Sequence, residues 1–214
     1  MRSHFKFQLF TLFIAVLLFQ ACSDLTSSVE EDVITSNLQT EIVEDLDATG
    51  TEGNYTFFSL RTGELVELTD SASTDWDIAF RGTGVITNSG VSGPGNGGAL
   101  LLDVPFNDVS IAPESGYAVD SDEQLAIPGG SENGWYTYTG RNNPPFAILP
   151  MDDVTIVLKT ADGNHYAKLE ILSYYKGNPD TGSDEFADTN TRPESRFYTF
   201  RYAIQQTEGL RDLE

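Results

Sequence analysis

The sequence predicts an all-β fold: a single antiparallel β domain with long Gly-rich and acidic loops, placed after a signal peptide and an acidic tether. Three observations predict it. From Asn54 onward, short runs of alternating apolar and polar residues are broken by Gly, Asn, Asp and Pro, the period-2 mark of strands and turns. The 214 residues include 13 Phe and 9 Tyr, a content that suits a β-rich core and excludes a disordered chain. Asp162-Gly163 stands between two long alternating runs and signals a tight hairpin turn.

The elements follow in chain order. Residues 1–21 read as a secretory signal. Arg2 and Lys6 precede an apolar run from Phe7 to Phe19, too short for a bilayer span of about 20 apolar residues. Phe19-Gln20-Ala21-Cys22 resembles a bacterial lipobox, with Phe19 in place of the usual Leu. By that resemblance Cys22 is diacylated, becomes the mature N-terminus and tethers a soluble domain to a membrane face. The alternative is ordinary cleavage near Ala21 that leaves a free thiol. Cys22 is the only cysteine, which excludes an internal disulfide framework and a thiolate zinc cluster.

Residues 22–53 read as the tether. Nine acids and no base fall between Ser23 and Glu52, and like charges extend such a segment into a solvated stalk. Val33, Ile34, Leu38, Ile42, Val43 and Leu46 also fit one apolar helical stripe, so a short helix is the competing expectation. In composition, an acid run after a lipidated Cys resembles the surface-export signals of some Gram-negative lipoproteins. Removing two of the 12 bases and none of the 33 acids with the signal leaves a net charge of −23. Such a balance excludes a nucleic-acid binder that neutralises phosphates and a basic patch held to anionic lipid.

Residues 54–214 read as the β domain. Strands are expected at 55–60, 64–68, 76–80 and 84–87, the first pair joined by the turn Arg61-Thr62-Gly63. Five Gly and one Pro between Asn88 and Gly98 make a long loop. Short strands follow at 99–102, 108–111, 135–138 and 146–149. In the hairpin 154–160/164–175, pairing across Asp162-Gly163 sets Leu158 opposite Ala167, Ile156 opposite Leu169 and Val154 opposite Ile171. The other face pairs Thr155 with Glu170, Val157 with Lys168 and Lys159 with Tyr166. A slip of one residue would mix the two faces, so the register is well specified. In the last strand, 196–204, Tyr198, Phe200 and Tyr202 share one face.

Several of these segments together resemble the HmuY family of haem-binding outer-membrane lipoproteins. They are Thr74-Asp75-Trp76-Asp77-Ile78-Ala79-Phe80-Arg81, the Gly-rich stretch from Gly82 to Ala99, and Val157-Leu158-Lys159-Thr160-Ala161-Asp162-Gly163. Tyr166-Ala167-Lys168-Leu169, Leu172-Ser173-Tyr174-Tyr175 and Phe197-Tyr198-Thr199-Phe200-Arg201-Tyr202 complete the set. The resemblance implies an all-β fold, no enzymatic activity, and capture of haem or a related nutrient at the surface of a Gram-negative cell. It further implies delivery to a TonB-dependent outer-membrane receptor. The alternative is a surface or interaction lipoprotein that keeps the fold without the haem site. The best-known member of the family grips haem iron between two histidines, and methionines serve in other relatives. Here His4 leaves with the signal, so His165 is the one histidine and Met151 the one methionine of the mature chain. A bis-histidine site within one chain is impossible.

His165 and Met151 are the candidate haem ligands, and neither matches a family ligand position. Imidazole and thioether both bind haem iron. The plainer readings are a strand-end histidine beside the Asp162-Gly163 turn and a packing methionine at the start of a strand. Tyr136, Tyr138 or a lysine could serve as a second ligand. Asp180, Asp184, Glu185, Asp188 and Glu194 offer hard oxygens for calcium, but their spacing is not that of an EF-hand, and a solvated loop is the simpler account. Gly93-Pro94-Gly95-Asn96-Gly97-Gly98 lacks the lysine of a phosphate cradle. Asp75 and Asp77, one pleat apart, suit edge polarity beside a buried Trp better than a glycosidase pair. A lone histidine leaves no serine with a triad.

Overall fold

The computed structural model describes residues 35–51 and 53–214. The signal segment, Cys22 and the first part of the tether lie outside the described residues. The described residues form eleven strands: β1 (Leu38–Asp47), β2 (Thr56–Ser59), β3 (Glu64–Val66), β4 (Ile78–Arg81), β5 (Gly84–Thr87), β6 (Gly98–Asp103), β7 (Tyr136–Tyr138), β8 (Ile148–Pro150), β9 (Val154–Lys159), β10 (Tyr166–Tyr175) and β11 (Ser195–Gln205). They form a five-stranded sheet in the order β1-β11-β10-β9-β6, a four-stranded sheet in the order β3-β2-β4-β5, and the pair β7-β8. Every pairing is antiparallel.

The hairpin β9–β10 has the register its alternation specifies. Lys159 pairs with Tyr166, Leu158 with Ala167, Val157 with Lys168 and Ile156 with Leu169. The ladder ends there, so the expected pairs Thr155–Glu170 and Val154–Ile171 do not form. Beyond Leu169, β10 turns toward β8, where the Ile148 N–H donates to the Tyr175 hydroxyl at 3.0 Å.

One core joins the two large sheets. Ile156, Leu158, Ala167 and Leu169 meet Phe58, Ile78, Phe80 and Val85 in it. The β11 row supplies Tyr198, Phe200 and Tyr202. Phe200 stacks on Phe80 at 5.3 Å and meets Phe58 edge-on at 5.5 Å. The opposite row of β9–β10 is covered as well. Val109, Ala112 and Leu213 pack on Val157, and the buried Lys168 donates from Nζ to the Val109 carbonyl at 2.7 Å.

Two expectations are corrected. Leu38–Asp47 is neither stalk nor helix but an edge strand, paired with β11 from Leu38–Gln205 to Asp47–Phe197. Its acids point to solvent at the sheet edge, where their repulsion costs little, while Leu46 is buried in the core. Residues 108–111 do not form a strand. Pro105 opens a one-turn 3₁₀ helix, Phe106–Asp108, and Ile111 makes only a single bridge to Asp212. The acidic loop 180–194 contains one short helix, Asp184–Ala187, capped by Ser183 and pinned by the buried Phe186.

Candidate functional site

The four-stranded sheet has apolar residues on both faces because its strands carry adjacent apolar pairs: Phe57-Phe58, Ala79-Phe80 and Val85-Ile86. Alternation sends Phe58, Phe80 and Val85 into the main core. Phe57, Ala79 and Ile86 point the other way, where they cluster with Trp76. Phe57 meets Trp76 edge-on at 4.8 Å. Phe57 and Ile86 of this cluster form the floor of a cleft of about 630 Å³, within the range of small-molecule sites. Tyr55 and Leu125 flank it, and the loop Gly90–Pro94 forms the far wall.

That wall is packed, not slack. The Asn88 side chain donates to the carbonyls of Ser73 (2.9 Å) and Trp76 (2.8 Å) and accepts from the Gly95 N–H at 2.8 Å. A Cβ at Gly93 would lie 2.7 Å from the Trp76 ring, so the loop can approach only as glycine. The far end of the loop is tied to the hairpin tip, where the Asn96 N–H donates to the Ala161 carbonyl at 2.7 Å. Asp120, fully buried, accepts from the N–H groups of Thr87 (2.9 Å) and Ala126 (2.7 Å) and thereby sets Leu125 at the cleft.

The lining consists of Gly, Ala, Pro and apolar side chains with the hydroxyls of Ser71, Ser92 and Tyr55. It holds no acid–base pair. Such a surface excludes water from a flat apolar ligand and orients it with few polar contacts. Arg81 lies with its guanidinium 4.6 Å from the centre of the Tyr55 ring, a cation–π contact at the cleft flank.

The candidate ligands lie elsewhere. His165 falls beside the turn, as its register requires, with its carbonyl accepting from Thr160 N–H at 3.1 Å. Its Nδ1 contacts Asp162 Oδ2 at 2.9 Å, and Arg61 reaches the same oxygen at 3.2 Å. Burial pushes the Asp162 carboxyl up, but the Thr160 hydroxyl, the Asn164 N–H, His165 and Arg61 outweigh it and hold the group at about 2. Asp77 is the buried counterpart. It accepts from the Leu60 and Ala161 N–H groups at 2.8 Å each and lies 3.4 Å from Arg61. Burial raises its pKa against the pull of those bonds and of Arg61. Asp77 therefore ties β4 to the hairpin tip and is no member of a glycosidase pair.

Met151 donates its backbone N–H to the Trp135 carbonyl at 2.9 Å, just before β9. His165 lies beyond the other end of β9, which at about 3.3 Å per residue puts the two roughly 20 Å apart. They cannot share one iron, and neither lines the cleft. Tyr136 is buried in the core and Tyr138 is exposed on the β7–β8 pair. Among the described residues no three His, Cys, Asp or Glu side chains converge as a metal site, the acids of loop 180–194 included.

Sequence reasoning missed Tyr55, Phe57, Ile86 and Leu125 as a group. The available signal was the run of adjacent apolar pairs, which shows that the second face of the sheet is covered by something.

No curated protein matches the chain. The family model described as HmuY protein matches residues 51–187, well over half of the sequence, and that segment contains every residue lining the cleft. The chain belongs to the HmuY family, whose general role is haem binding.

Proposed function

We propose that this protein is a non-enzymatic capture lipoprotein of a Gram-negative cell surface, held in the outer membrane through lipid on Cys22. In this reading it takes haem, or a related flat apolar nutrient, for delivery to a TonB-dependent receptor. The observation that carries it is the apolar cleft over Phe57 and Ile86, inside the family segment. A haem would be gripped by the faces of its macrocycle. The donors remaining within the cleft are hydroxyls, of which the Tyr55 phenol is of a kind that ligates haem iron. A second reading, a surface lipoprotein that retains the fold without a haem site, is favoured by the placement of His165 and Met151 outside the cleft.

Haemin titration of the full chain separates the two. Capture in the cleft predicts a sharpened Soret band that Leu125→Glu weakens by about tenfold or more, or about 1.4 kcal/mol, and that His165→Ala leaves in place. Protoporphyrin IX, which lacks iron, binds comparably if the macrocycle is the recognised part. A flat titration at micromolar haemin supports the second reading.

A further inference from the structure

Asp77, the residue before β4, is 2% exposed and does not line the apolar cleft. Bonds from it nevertheless run to both loops that wall the cleft. Its Oδ1 accepts from the Ala161 N–H, and the Ala161 carbonyl accepts from the Asn96 N–H at 2.7 Å, where the glycine wall rests on the hairpin tip. Gly95 is packed into this joint: a Cβ there would lie 2.9 Å from the Ala161 carbonyl oxygen and 2.6 Å from that of Asn88. The Asp77 carbonyl accepts at 3.1 Å from the N–H of Asn88, whose side chain clasps the same loop. On the other wall, Arg61 lies 3.4 Å from Oδ1 and donates from Nη2 to the Thr74 carbonyl, in the segment that brings Ser71 and Ala72 to the cleft.

The carboxyl of Asp77 is met by donors. The Leu60 N–H bonds to Oδ2, the Ala161 N–H to Oδ1, and the Arg61 guanidinium lies beside Oδ1. A carboxylate suits such neighbours because it only accepts. An O–H on either oxygen would point at an N–H, so protonation breaks one of these bonds. Leu60 and Asp77 are also tied through the backbone, since the Asp77 N–H donates to the Phe58 carbonyl at 2.9 Å. Ala161 belongs to the hairpin of the other sheet and meets Asp77 through the side chain alone, so the hairpin bond is the one that yields.

Arg61 is the charged group against this carboxyl. Asp162 and His165 stand beyond Arg61 on the hairpin, and the Tyr202 phenol, held neutral at about 12, lies toward β11. Burial raises the Asp77 pKa above the ordinary 3.8, ahead of the opposing pull of the Ala161 N–H, Arg61 and the Leu60 N–H. A carboxyl raised in this way takes its proton more readily in the folded chain than in the unfolded one. Protonation therefore belongs to the folded domain and is not a step of acid unfolding.

We infer that Asp77 is a positioning residue with an acid-sensitive hold on the cleft: as a carboxylate it fixes the hairpin tip against the glycine wall, and as a neutral acid it frees that wall and releases a flat apolar ligand from behind it. The release rests on the cleft being the capture site proposed above; the movement of the wall does not.

Amide and carboxyl NMR of the ligand-free full chain, from about pH 7.5 to about pH 4.5, reads the wall directly. The amides of Ala161, Asn96 and Gly93 should shift together, with the midpoint of the Asp77 carboxyl carbon. Affinity for N-phenyl-naphthylamine, a flat apolar fluorophore that stays uncharged over this range, should fall by about fivefold or more with that midpoint, and Leu125→Glu identifies the part of the signal that comes from the cleft. Asp77→Asn sets an amide N–H where the acid would carry its O–H. It should bind the fluorophore about fivefold more weakly at neutral pH and lose the pH response. Asp162→Asn and His165→Ala should keep the response; histidine is the side chain that ordinarily titrates near neutrality, so a response that His165→Ala removes overturns the assignment. So does one that survives Asp77→Asn, an Asp77 carboxyl that stays ionised throughout, or Ala161 and Asn96 amides that stay still while it titrates. Those shifts are read in the unmutated chain and decide the matter even if Asp77→Asn fails to fold. Absence of fluorophore binding at neutral pH sinks the capture reading alone, and the amides still decide whether the wall moves.

Discussion

The two faces of the four-stranded sheet carry similar residues to different ends. On the inner face Phe58, Phe80 and Val85 are sealed by Phe200, Tyr198 and Tyr202, and no space remains. On the outer face Phe57, Ala79 and Ile86 pack with Trp76, and a glycine loop lying against the Trp76 ring walls a cleft at Phe57 and Ile86. Apolar content is therefore a poor guide to what a surface does; what matters is whether the opposing element closes on it. Both faces turn burial into stability, with Phe57 and Ile86 each only 6% exposed, and a ligand would meet the outer cluster only where those two side chains reach the cleft.

Phe80→Ala should break the contrast most severely. The side chain is fully buried against two aromatic rings, and its removal should cost about 3–5 kcal/mol, read from urea midpoints. A second test concerns the hairpin tip that braces the glycine wall. Asp162 is held at about 2 in the folded state against 3.8 ordinarily, so its contribution is present above pH 4 and is lost as the pH falls toward 2. Asp77, shifted the other way, gains stability on protonation over the acid range, so the total slope mixes the two. Comparison with Asp162→Asn isolates the first: after allowance for solvent screening of this partly exposed group, the variant should lack about 1 kcal/mol of the acid-sensitive stability between pH 4.5 and 2.5. The smallest effect sharpens the contrast. Val91→Glu, at the exposed rim of the outer face, should change stability by no more than about 0.5 kcal/mol while weakening capture of a flat apolar ligand in the haemin titration.

The sequence is most legible where a local rule decides the outcome. Asp162-Gly163 and the flanking alternation specify four cross-strand pairs, and Tyr198, Phe200 and Tyr202 are recognisable as one face. It is least legible where a distant partner decides. In Leu38–Asp47 the charge pattern outweighs a weak alternation, and only the unpaired side of β11 makes a strand of it. The cleft is hidden for a related reason. Period-2 patterning shows that Phe57 and Ile86 face away from the core, but the covering wall depends on Asn88 holding a glycine loop and on Asp120 placing Leu125. His165 is correctly positioned by register, yet the Arg61 that joins it on Asp162 comes from a turn about a hundred residues upstream.

The pairing of β1 with β11 also sets the order of assembly. The Asn37 N–H bonds to the Gln205 side chain across 168 positions of sequence, so a ribosome releases the first strand long before its neighbour exists. Glu41, Glu44, Asp45 and Asp47 place like charges along this strand, which disfavours its association with other unfolded chains before β11 exists. Closure of the sheet then falls to the last strand made.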